Sequence, residues 1–125
     1  MNAQIGSNDD TLINKKCVPC HGGISPLSPD EAKQMLGRLP SSEKQGGWQL
    51  VEDAKALRKE FKFADFFRAM SFVNAVAHVA NVEDHHPDLE CGWGYCRIRF
   101  QTHAIGGLHE NDFICAAKID AIPQG

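Results

Sequence analysis

The sequence predicts an α+β domain: a four-stranded antiparallel sheet with helices packed on one face, in the order α-β-β-α-β-β-α. Three observations lead to this. A capping box opens the first helix, a long apolar helix follows a first pair of alternating stretches, and a second alternating pair follows that helix. Strands that come as hairpins, rather than in β-α-β alternation, argue for antiparallel pairing.

Residues 1–26 read as an irregular lead-in, polar at first and then rich in glycine, proline and cysteine, and residues 27–125 as the domain. Ser28-Pro29-Asp30-Glu31 places a capping serine, a proline at the first helical position and a glutamate at the third, so a helix starts there. It runs to about Gly37, with Pro40 barring continuation. After the Gly46-Gly47 turn, Trp48–Glu52 predicts a short strand. Leu57, Lys59, Phe61 and Phe63 alternate with Arg58, Glu60 and Lys62 as its partner.

Ala64 to Val82 has helical periodicity, with Phe66, Met70, Val73, Ala77 and Ala80 as one stripe and Phe67, Phe72, Val76 and Val79 widening it. A helix apolar on more than one side needs a second cover, from another subunit or from flanking loops. In the second hairpin, Gly92-Trp93-Gly94 forms the bend, and Cys96, Ile98 and Phe100 alternate with Arg97, Arg99 and Gln101. A last helix spans about His109 to Ile122, with Ile114, Ala117 and Ala121 on one side.

Composition narrows the function classes. A net charge of −3 with no basic run gives no electrostatic case for nucleic acid. The least polar stretch carries Ser71, Asn74, His78 and Asn81, which argues against a membrane span. MNAQIGSNDD lacks the charged start and apolar run of a secretory signal, so a cytoplasmic location is expected. Five cysteines without an export signal read as reduced thiols, with Cys96 and Cys115 as small core residues.

Adjacent His85 and His86, held by Pro87 after a helix, cannot both enter a core. His103 follows the last strand, and parity puts it with Arg97 and Arg99 rather than with the apolar residues. Three imidazoles at one cleft can exchange protons near neutral pH. Zinc is the rival chemistry, although adjacent histidines ligate one ion awkwardly. Glu83, Asp84 and Asp88 either orient the imidazoles or are solvated. Cys17-Val18-Pro19-Cys20-His21 fits the haem c attachment string and half a zinc site, but lacks an export signal for the first and a second ligand pair for the other. Gly106-Gly107 before a helix reads as a turn rather than a phosphate cradle, and His109 as a helix start.

These residues resemble the pterin-4a-carbinolamine dehydratases, from about Leu27 to Ile122. The resemblance rests on His85-His86-Pro87, Trp93, Thr102-His103 and Gly107-Leu108, with Gly47-Trp48, Phe61-Lys62-Phe63, Phe66, Phe72 and Asn74 upstream. It implies dehydration of a 4a-hydroxytetrahydropterin to a quinonoid dihydropterin, downstream of an aromatic amino acid hydroxylase in tetrahydropterin recycling. It implies no metal or other cofactor, and a homodimer or homotetramer. By resemblance His85, His86 and His103 are catalytic, His85 and His103 as the acid/base pair and His86 chiefly for positioning. Asp84, Pro87, Thr102 and Ala104 help hold the pterin. The chain departs from the pattern at Asn81 and Ala104, where many members carry acidic residues. Some animal members also bind a homeodomain transcription factor, and nothing in this sequence supports that role. The alternatives are a non-catalytic oligomerisation or binding module on the same fold, and a small zinc-binding protein.

Overall fold

The computed structural model describes residues 11–19, 22–39 and 46–124. Three helices and four strands follow the predicted order: α1 (Pro29–Leu36), β1 (Gln49–Val51), β2 (Ala56–Lys62), α2 (Phe66–Glu83), β3 (Asp88–Gly92), β4 (Tyr95–Phe100) and α3 (Glu110–Asp120). Single 3₁₀ turns add Leu12–Asn14 and His103–Ile105. The expected stop at Pro40 and the residues Cys20 and His21 lie outside the described residues.

The capping box of α1 forms as its spacing requires. Ser28 Oγ accepts from the Glu31 N–H at 3.1 Å, and the Ser28 N–H donates to Glu31 Oε1 at 2.8 Å. Such a cap is worth about 1 kcal/mol.

The sheet is antiparallel in the order β1-β2-β4-β3, so α2 carries the chain across from the second strand to the far edge. Register sets the two faces. Leu57 pairs with Phe100 and Phe61 with Cys96 on the inner face, while Arg58 pairs with Arg99 and Glu60 with Arg97 on the outer. All three helices lie against the inner face, and the outer face carries ion pairs such as Arg99–Asp88 at 3.1 Å. Trp48, Phe61, Phe72, Phe100 and Phe113 anchor one core. Burying each stabilises the fold by about 1.5–3 kcal/mol. Lys59 is the polar exception on the inner face. Its Nζ sits 2.8 Å from Asp120 Oδ1, which also accepts from Trp48 Nε1 at 3.0 Å, so the buried ammonium is paired.

The structure corrects two expectations about helix packing. The inward stripe of α2 is Ala69, Phe72, Val76 and Ala80, whereas Phe66 and Ala77 of the expected stripe are exposed. A helix apolar on several sides has no sharp periodic maximum, and packing chooses the face. In α3, burial covers Asn111 to Ala117 and Ile119, not one side, and Ala121 is exposed. The cause is residues 11–19, which lie across α3 with Leu12 buried in the core. The first hairpin turns through three consecutive left-handed residues, Glu52, Asp53 and Ala54, none of them glycine. Each costs about 1–2 kcal/mol, and the Arg99 guanidinium holds Glu52 in place with bonds of 2.6 and 2.7 Å.

Candidate active site

The end of α2 separates the two adjacent histidines. Asp84 adopts the left-handed conformation (φ 53°) and turns the chain. The His85 N–H then donates back to the Ala80 carbonyl at 3.1 Å. His85 swings inward, its side chain 11 % exposed, and stacks on Phe100 at 5.9 Å with a 9° interplanar angle. His86 stays exposed. Pro87 restricts His86 to extended backbone and feeds the chain into β3.

His103 arrives from the other side. β4 stops at Phe100, so His103 sits on a 3₁₀ turn and not on a strand end; strand parity does not set its direction. Thr102 N–H to the Gly107 carbonyl at 2.8 Å closes this turn. Gly107 is required there: a side chain would meet the Pro26 Cβ at 2.6 Å.

A residue that the sequence reading missed ties these parts together. Asp112 is fully buried at the start of α3. Its Oδ1 lies 2.6 Å from His85 Nε2, and its Oδ2 accepts from Thr102 Oγ1 at 2.8 Å and from the His109 N–H at 2.9 Å. Because Asp112 also accepts from Thr102 and His109 through its other oxygen, Nε2 of His85 serves as its donor, which leaves Nδ1 outside this bond. His109 caps α3, its Nδ1 accepting from the Asn111 N–H at 3.0 Å, and the capping box with Asp112 is complete. That His109-x-x-Asp112 spacing was the signal available in the sequence.

Two of the three acidic residues beside the histidines, Glu83 and Asp88, bond elsewhere. Glu83 turns away to accept from the Cys17 N–H at 2.9 Å and to pair with Lys118 at 2.7 Å. Burial alone would raise its carboxyl, but the Lys118 ammonium and the Cys17 N–H outweigh burial and hold it below the usual carboxylate range. Asp88 pairs with Arg99 on the outer face. His86 is oriented by Asn81, whose Oδ1 is 3.2 Å from Nε2.

His85, His86 and His103 line one open cleft of about 400 Å³, together with Asp84, Thr102 and Ala104. Gln101, Asn111, Val18 and Pro19 complete its walls, and none of these was expected. Pro87 and Trp93 do not line it; Trp93 is 70 % exposed at the β3–β4 bend. Two other hollows, of about 440 Å³ beside Phe67 and about 240 Å³ beside Arg58, have no histidine. Size does not distinguish this cleft from the other two; its three histidines do.

The geometry can be set beside known proteins. The family model for pterin 4 alpha carbinolamine dehydratase matches residues 25–122. The chain belongs to the pterin-4a-carbinolamine dehydratase family. It is 51 % identical over 112 residues to a protein of Halorhodospira halophila, covering 90 % of this chain and 97 % of that one. It is 46 % identical over 112 residues to one of Methylococcus capsulatus, covering 90 % and 93 %. Both are provisionally named pterin-4-alpha-carbinolamine dehydratases. Among solved structures, it is similar to a transcriptional coactivator/pterin dehydratase of Brucella melitensis, with 31 % identity and a TM-score of 0.68 over 78 % of this chain and 97 % of that one. It is also similar to a pterin dehydratase-like protein identified as a RuBisCO assembly factor in the alpha-carboxysome, with 25 % identity and a TM-score of 0.52 over 60 % and 87 %.

In this dehydratase-family chain the family model begins at residue 25, after Cys17, whereas the alignments with the two relatives, 112 residues each, reach back into the cysteine-bearing lead-in. Among the described residues, no three His, Cys, Asp or Glu side chains gather as metal ligands, and no helix is long and apolar enough to cross a membrane.

Proposed function

We propose that this protein removes water from a 4a-hydroxytetrahydropterin to give the quinonoid dihydropterin, by histidine acid/base catalysis. The observation that carries this reading is the convergence of His85, His86 and His103 on one cleft, with His85 fixed by buried Asp112. One imidazolium protonates the C4a hydroxyl, the C4a–O bond breaks, and water leaves. A neutral imidazole takes the N5 proton, and its electron pair closes the C4a–N5 double bond. His85 and His103 form the acid/base pair, and His86, oriented by Asn81, positions the ring. Asp84, Thr102 and Ala104 hold the pterin, and Pro87 fixes the histidine pair. The substrate comes from an aromatic amino acid hydroxylase, which places the protein in cytoplasmic tetrahydropterin recycling. In an assay with enzymatically generated 4a-hydroxypterin, the protein should accelerate dehydration above the spontaneous rate. Because Asp112 and Asn81 already engage His85 Nε2 and His86 Nε2, EDTA should leave that rate unchanged. No acceleration, or a rate lost to EDTA and restored by zinc, would contradict the mechanism.

The working assembly is a homodimer or homotetramer built on α2. Its outward side exposes Phe66, Phe67 and Val82, with Phe67 77 % accessible, more apolar surface than an isolated helix face should leave in water. Sedimentation at micromolar concentration should show a species larger than 13.8 kDa, and Phe67→Glu should weaken association while the circular dichroism spectrum is kept. A wild-type monomer would contradict this. That same exposed side favours a second reading, a binding module on the same fold, against which the three histidines in one cleft weigh.

A further inference from the structure

Two thiols that the dehydration mechanism does not use lie behind the same cleft. Cys17 Sγ is 3.5 Å from Cys115 Sγ, 98 positions away in the sequence. Cys115 is fully buried on α3, while Cys17 is half-buried, so a reagent can reach one sulfur of the pair but not the other. The approach is held from several directions. The Cys17 N–H donates to Glu83 at 2.9 Å, its Sγ meets the Asn111 carbonyl at 3.6 Å, and the Asn111 amide grips both the N–H and the carbonyl of Val18 at 3.0 and 2.7 Å. A disulfide needs sulfurs about 2.05 Å apart, so about 1.5 Å of closure remains.

We propose that Cys17 and Cys115 are a reversible dithiol site whose reactant is a low-molecular-weight disulfide of the glutathione type. The Cys17 thiolate attacks one sulfur of the reagent, forming a mixed disulfide and releasing one thiol. Cys115 then gives up its proton and displaces the second thiol from Cys17. Two protein thiols are oxidised to one disulfide, and one reagent disulfide is reduced to two thiols. The hydrogen bond with Cys17, and then burial, push the Cys115 thiol up, so Cys17 is the sulfur that attacks first. The product joins the lead-in to α3 covalently. Val18 and Pro19, next to Cys17, line the histidine cleft, and Cys115 Sγ lies 3.9 Å from the His85 carbonyl. Oxidation therefore pins one wall of that cleft to the helix that carries Asp112.

A second close pair, Cys91 and Cys96 at 3.0 Å across β3 and β4, supplies an internal comparison. It spans five positions, and a cross-link constrains the unfolded chain more as the closed loop lengthens. The full chain should be equilibrated with oxidised glutathione, alkylated, and mapped by peptide mass spectrometry, with melting followed in parallel. A Cys17–Cys115 cross-linked peptide is expected, with Tm raised by roughly 10 °C and both effects reversed by dithiothreitol. Cys17→Ser should abolish the cross-link, and Cys20→Ser should keep it. Glutathione held on Cys17 without closure, a Cys17–Cys20 bond, oxidation confined to Cys91 and Cys96, or no loss of thiols would each overturn the proposal. None of these readouts uses dehydration, so this proposal and the catalytic one fail separately.

Discussion

His103→Ala is expected to lower kcat for dehydration by roughly 10²- to 10⁴-fold, the usual span for a positioned acid or base. The side chain stands exposed on the 3₁₀ turn between Thr102 and Gly106 and makes no hydrogen bond among the described residues. Its removal should therefore leave the fold and the melting temperature close to wild type. His86→Ala provides the contrast. His86 is exposed and oriented by Asn81, so its contacts should act alike on bound substrate and transition state, and its loss should appear mainly in KM. Steady-state kinetics on the two variants separate the roles. Equal falls in kcat would remove the distinction, and an unchanged kcat in His103→Ala would remove His103 from the acid/base pair.

The second large effect is expected at a residue that does not itself meet the pterin. Three donors converge on Asp112: His85 Nε2–H, Thr102 Oγ1–H and the His109 N–H. Asparagine has the same shape but replaces one acceptor with an NH₂ group, which must then face a donor. Asp112→Asn should cost about 1–3 kcal/mol of stability, the price of an unmade buried hydrogen bond. Because the Nε2–H form of His85 loses its acceptor, kcat should fall by about 10²- to 10³-fold with little change in KM. A purely structural role would lower Tm alone. The discriminating signature is the imidazole ¹⁵N spectrum of His85, which should report a changed tautomer in the variant. A folded Asp112→Asn protein with wild-type kcat and an unchanged spectrum would show that Asp112 does not position His85.

The sequence carried the architecture because it is written in local patterns. The Ser28–Glu31 capping box, the alternation through Leu57 and Phe61, and that through Cys96, Ile98 and Phe100 each read correctly on their own, although β2 stops one residue before Phe63. The inward face of α2 was not legible. With Phe66, Phe67, Val79 and Val82 apolar around the helix, periodicity could not choose Ala69, Phe72, Val76 and Ala80. The lead-in is similar. Leu12 and Ile13 are two apolar residues in a polar stretch, and only the fold reveals that Leu12 enters the core while residues 11–19 lie across α3.

At the site, the histidines were legible by adjacency and by their order along the chain. Asp112 was not, since 27 positions separate it from His85 and a polar residue in an amphipathic helix reads as solvated. The turn that carries His103 was also missed, because alternation gives no mark of where a strand stops. Gly106 in the left-handed conformation (φ 65°) closes that turn, and it is the local clue that the strand had already ended.

If the paired imidazoles of His85 and His103 do the chemistry, the double variant His85→Ala/His103→Ala should lose it. It should be assayed with enzymatically generated 4a-hydroxypterin, alongside circular dichroism and sedimentation to confirm fold and assembly. The expected result is a folded, assembled protein whose rate approaches spontaneous dehydration, at least as low as either single variant. A folded, correctly assembled double variant that dehydrates as fast as wild type would contradict histidine acid/base catalysis.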